Sequence, residues 1–172
     1  MRPSPILIAI VVQWLLAAFL LALHLPSLGP LGGFNLAAGC GLIAGLVLYC
    51  VLAWELAPLA SVRKPSKLLL FKCGFLAVTA LAEEIIWRGF AFTYLSRQDG
   101  IVAALVMTTI GFAVMHMYSQ GWNGVVTHLM TGLAFGLAVV LSGQLLPAVL
   151  LHVSYSVAVV LASGARVRLV TA

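Results

Sequence analysis

The chain has 172 residues, of which 63% are hydrophobic and only 8% charged, with a mean hydropathy of +1.18 and a formal net charge of +5. A soluble domain carries about a quarter charged residues, so this chain cannot cover a water-facing surface and its solvent is expected to be lipid. The basic excess does not point to nucleic acid, because Lys and Arg sit at the ends of apolar runs rather than in a stripe interleaved with aromatics.

Six apolar spans follow in chain order, at roughly 5–25, 37–60, 68–95, 100–117, 123–142 and 144–163. Each is near the ~20 residues needed to cross ~30 Å of hydrocarbon. The first follows Arg2, but it is longer than a signal-peptide core and no small-x-small cleavage site follows it, so it reads as a retained helix. Backbone groups facing lipid must be satisfied within their own segment, which makes every span a helix. Connections are short, and residues 1–172 read as a single integral-membrane domain. The expected fold is all-α: a polytopic membrane bundle of about six transmembrane helices.

Arg2, the loop with Arg63, Lys64 and Lys67, and the tail with Arg166 and Arg168 fall on one side of six crossings, whereas Arg97 and Asp99 fall on the other. The positive-inside rule then places both termini in the cytoplasm. Cys40, Cys50 and Cys73 show no C-x-x-C spacing and are expected to be small buried hydrophobes. Gly41-x-x-x-Gly45 and Gly132-x-x-x-Gly136 have the spacing that lets membrane helices approach closely, and packing explains both.

The third span carries the exception to this apolar pattern, "LAEEIIWRGF" at residues 81–90, with half of the chain's four acidic residues. At ~100° per residue, Glu84 and Arg88 are i,i+4 neighbours on one helix face. Glu83 is turned ~140° from Arg88 and has no local cation. Geometry thus gives the carboxylates different work. Glu84 can be neutralised by Arg88, while Glu83 needs a watery cavity or a partner on another helix, as suits a general base. An ion network tying helices together is the alternative use of the three residues.

Partners are available on other spans. Span four ends with Phe112 and His116 at i,i+4, so the phenyl ring can orient the imidazole. Span six places His152 and Ser156 on one face. A carboxylate and two imidazoles on three helices can activate water and stabilise an oxyanion. The same trio could ligate zinc, as His₂Glu sites do. His24 reads as an interfacial residue, His128 as packing with lining of the cavity as the alternative, Trp87 as a wall of the site, and Asn123 as a cap of span five or an amide donor to the site.

Glu83-Glu84-x-x-x-Arg88, Phe112-x-x-x-His116 and His152-x-x-x-Ser156, in this order, resemble the three motifs of the CAAX-protease and bacteriocin-processing family of intramembrane proteases. The resemblance covers about residues 68–160. It implies a glutamic-type endopeptidase in which Glu83 activates water with His116 assisting, His152 stabilises the oxyanion, and Glu84 and Arg88 support them. No cofactor is then expected, zinc at Glu83, His116 and His152 being the other chemistry. The family usually has Asn or Asp where this chain has Ser156, and the shorter hydroxyl is a poorer reach towards an oxyanion. Losing such a donor typically costs ~10²–10³ in rate. The implied partner is a membrane-anchored protein or peptide, cut near its end as in leader or C-terminal sorting-signal processing, and the implied location is a prokaryotic cytoplasmic membrane. A non-enzymatic immunity or interaction protein could use the same scaffold. An ion-coupled carrier would show internal repeats, and none is evident.

One expectation conflicts with this grouping. If each helix stops at the faces of a ~30 Å core, Glu83 lies ~24 Å above Lys67 and His116 ~24 Å below Gly100. Their depths would differ by almost ~20 Å. They meet only if span three enters the membrane later, after Lys72, or if the helices tilt or extend.

Overall fold

The computed structural model describes residues 5–23, 31–52 and 66–170 and, within these, all side chains except those of residues 5–7, 118, 119, 123 and 163–170. Arg2, His24, Arg63 and Lys64 lie outside the described residues, as do the side chains of Asn123, Arg166 and Arg168. Helices account for every regular element among the described residues: α1 (Pro5–Ala22), α2 (Leu36–Leu52), α3 (Lys67–Glu84), a π-helical stretch (Ile85–Phe92), α4 (Thr93–Gln98), α5 (Ile101–Ser142) and α6 (Leu146–Val170).

Two of these boundaries agree with the expected spans and add detail to them. First, α3, the π-helical stretch and α4 are one unbroken run, since the joining residues Glu84, Ile85, Phe92 and Thr93 all keep right-handed helical dihedrals. The Ser66 hydroxyl caps its start by accepting from Leu69 N at 3.2 Å. Second, spans four and five are two arms of α5, separated by Gly121 alone, whose φ of 66° and ψ of −162° are accessible only to glycine. The arms fold back on each other at this point. Phe112 packs on Phe135 and His116 on His128, contacts that a straight helix would hold ~18 Å or more apart.

The long run resolves the conflict in depth. From Lys67 to Gln98 it extends ~48 Å, well beyond a ~30 Å hydrocarbon core. Glu83 and His116 each lie ~16 residues from the Asp99–Gly100 turn and are therefore level with one another across an antiparallel pair. The length of the helices on either side of this turn brings the two residues together.

α6 is the central helix, packing against α2, α3 and α5. Against α2 the contact is made by glycines: a Cβ at Gly41 would overlap the Pro147 carbonyl, and one at Gly45 would overlap Ser154 Oγ and the Leu151 carbonyl. Tyr49, Tyr155, Ala158 and Ala162 complete that seam. On the other side Ala17, Ala82, Ile85, Leu145 and Val149 join α1, α3 and α6. A third cluster of Phe112, Phe135, Ala148 and Leu151 lies under the polar residues described below.

Burial is inverted relative to a water-soluble protein. Arg88, Glu84, Thr108 and Thr131 are among the largest fully buried side chains, while Leu36 and Leu141 are each 84% exposed. Such a surface suits a hydrocarbon solvent. One described segment, Gln120–Ser142, is long and apolar enough to cross a membrane; Ile8–Ala22, Leu36–Leu52, Ile101–Met117 and Leu146–Ala162 are apolar and shorter. Cys40 and Cys50 are exposed and Cys73 half-buried, which corrects the expectation that all three are buried.

Candidate active site

The helical arithmetic for the paired carboxylates carries into three dimensions. Arg88 Nη1 donates to Glu84 Oε1 at 3.1 Å, and both side chains are sealed from solvent. Arg88 Nη2 donates to the Gly132 carbonyl at 2.9 Å. A side chain at position 132 would crowd that reach, since its Cβ would lie 3.3 Å from Nη2 and 3.0 Å from Phe112 Cδ1. The guanidinium also lies over the Phe112 ring at 4.5 Å and the Phe135 ring at 5.5 Å. Arg88 thus connects the π-helical stretch to both arms of α5.

Glu84 has a second partner that its own helix does not reveal. Its Oε1 also accepts from His152 Nδ1 at 2.9 Å, across to α6. The same imidazole stacks on Phe135, with ring centroids 4.3 Å apart. His152 is held by a hydrogen bond at one edge and a phenyl ring on one face, and the carboxylate fixes the proton on Nδ1. His116 is fixed in the same tautomer by different means. Its Nδ1 donates to the Phe112 carbonyl at 2.8 Å, and a carbonyl can only accept. The Phe112 ring, 4.6 Å away, packs against it as the i,i+4 spacing predicts.

Both imidazoles present Nε2 towards Glu83. His116 Nε2 is 3.9 Å from Glu83 Oε1, and His152 Nε2 is 3.8 Å from Glu83 Oε2. Each oxygen of the 6% exposed carboxylate therefore faces a different imidazole. These separations exceed a direct hydrogen bond and fall within the span that one water can bridge. No group of three or more His, Cys, Asp or Glu among the described residues is arranged to hold a metal ion.

Residues 65–158 match the family model described as type II CAAX prenyl endopeptidase Rce1-like. The chain belongs to this family. Neither a curated protein nor a solved structure matches it. Membership implies a membrane-embedded protease acting on a protein, and the matched stretch of this Rce1-like chain contains Glu83, Glu84, Arg88, Phe112, His116, His152 and Ser156. The first six converge around one another. Ser156 follows His152 by one turn of α6, is half-buried, and makes no side-chain hydrogen bond among the described residues.

Sequence reasoning missed Phe135, which stacks on His152, and favoured packing for His128, which stacks on His116 with ring centroids 3.6 Å apart; Trp87, expected as a wall of the site, meets Phe112 edge-on at 6.4 Å. A signal existed in the second arm of α5. His128, Thr131, Gly132, Phe135 and Gly136 recur at i, i+3, i+4, i+7 and i+8, which is one face of a helix. Three atoms near the ion pair are left without a partner among the described residues: Glu84 Oε2, Arg88 Nε and Thr109 Oγ1.

Proposed function

We propose that the protein is an intramembrane endopeptidase that cuts a membrane-associated protein near its end, using a water activated by Glu83. The observation that carries this reading is the convergence of two fixed imidazoles on a carboxylate that forms no ion pair with a Lys or Arg among the described residues. Water placed against Glu83 gives up a proton to it as its oxygen attacks the scissile carbonyl. His116 holds that water through Nε2. His152 enters the step as the imidazolium and donates through Nε2 to the developing oxyanion, Glu84 stabilises that charge through Nδ1 as a buried carboxylate does in a catalytic triad, and the proton taken up by Glu83 passes to the leaving amine. Arg88 pairs with Glu84 and aims it. Six crossings with both termini cytoplasmic, in a prokaryotic inner membrane, is the topology this reading adopts, with a leader or C-terminal sorting signal as its substrate class.

Hydrolysis of membrane-anchored peptides by the purified protein in liposomes tests the proposal. Wild type should cleave, Glu83→Gln should be inactive while remaining folded, and a chelator should have no effect. Cleavage abolished by the chelator and restored by zinc would move Glu83, His116 and His152 to a metal site. A biological phenotype that survives Glu83→Gln, with no cleavage by wild type, would favour a non-enzymatic interaction protein.

A further inference from the structure

An oxyanion in a water-poor site needs preorganised donors, and α6 offers few. His152 is one. The residue a turn later is a serine, whose hydroxyl is shorter than a carboxamide. A third imidazole packs against this cluster and is left unused by the reaction just described.

His128 comes from the second arm of α5. Its ring lies nearly parallel to His116, at 28°, and edge-on to Phe112 at 5.5 Å. Phe112 also touches the rings of His116 at 4.6 Å and His152 at 5.9 Å. One phenyl ring therefore gathers all three imidazoles. His128 Nδ1 lies 3.4 Å from Thr131 Oγ1, and Nε2 is buried with no hydrogen-bond partner among the described residues.

The tautomer follows from counting protons. If Nδ1–H donated to Thr131, the fully buried hydroxyl proton and the Nε2 lone pair would both lack partners. If the Thr131 hydroxyl donates to Nδ1, only one group is unsatisfied, and that group is Nε2–H. Leaving a buried donor unpaired costs about 1–3 kcal/mol. A histidine kept only for packing has no reason to bear that cost, whereas a donor whose acceptor arrives with the substrate does.

We propose that His128 is a catalytic residue of this site, its Nε2–H donating a hydrogen bond to the scissile carbonyl oxygen as that oxygen becomes negative. It supplies the donor that Ser156 is too short to give. No proton is transferred, and the bond only strengthens as charge develops. The proposal rests on the protease reading above.

Steady-state hydrolysis of a peptide cleaved by wild type, in liposomes, tests it with His128→Leu, His128→Gln and the double variant His128→Leu/Ser156→Asn. Thermal unfolding of each variant is followed in parallel. His128→Leu should lower kcat by ~10²–10³ with KM little changed. His128→Gln, which returns an amide N–H near the Nε2 position, should keep roughly a tenth or more of the wild-type rate. Ser156→Asn should restore a large part of the loss in the leucine background, which a purely structural role would not allow. A kcat for His128→Leu within a few-fold of wild type overturns the proposal. So does a loss that neither glutamine nor Ser156→Asn recovers. Wild-type cleavage that is independent of Glu83, or absent, overturns the protease reading first and this one with it.

Discussion

Replacing Arg88 with Met removes the cation of a fully buried pair while keeping most of the side-chain volume. At 3.1 Å and an effective dielectric of about 20, the attraction between Arg88 and Glu84 is ~5 kcal/mol. The charge-assisted bond to the Gly132 carbonyl adds ~1.5–3 kcal/mol and the stacking on Phe112 ~0.5–2 kcal/mol. The desolvation of both ions offsets much of this total. The net cost of breaking such a pair on one side is therefore about 3–5 kcal/mol, most of it from the stranded Glu84 carboxylate. For a chain of this size that corresponds to a fall in unfolding temperature of about 10 °C. Glu84→Gln/Arg88→Met, which leaves no charge behind, should recover most of the loss. Arg88→Lys should fall between, because an ammonium cannot reach Glu84 and Gly132 in one plane and also lie flat on Phe112. Thermal unfolding of wild type, Arg88→Met, Glu84→Gln and the double variant in one detergent gives the cycle directly. A loss below about 1 kcal/mol for Arg88→Met, or strict additivity in the double variant, would refute the idea that Glu84 and Arg88 are coupled as a buried pair.

Two other consequences follow from packing. Gly45→Val should separate α2 from α6, since even a Cβ there overlaps Ser154 Oγ and the Leu151 carbonyl; a loss of about 3 kcal/mol or outright misfolding is expected, read from protease resistance in detergent. Thr109→Val should be neutral or stabilising by up to about 1 kcal/mol, because it removes a buried hydroxyl without a partner among the described residues at nearly constant shape; a loss above about 2 kcal/mol would show that Thr109 Oγ1 holds a buried water against the ion pair.

The amino-acid sequence by itself determined the solvent, the helical class and the division of labour between the two glutamates. Each rests on short-range physics. Hydropathy decides what can face water, and the ~100° step decides that Glu84 meets Arg88 and that Glu83 does not. The Phe112–His116 packing was legible for the same reason. Only the tertiary structure decided that Glu84 also holds His152, that Glu83 is shared between two imidazoles, and that His128 joins them. Those contacts reach from α3 to α6, 68 residues along the chain for Glu84 and His152, and depend on how the central helices are rotated about their axes. That rotation is a sum of many weak packing contacts, among them the glycine seam of α2 on α6 and the fold-back at Gly121. No local periodicity encodes it. The mistaken mismatch in depth has the same origin: a ~30 Å membrane limits the apolar part of a helix, whereas its total length is set by where the chain can turn, here at Asp99 and Gly100.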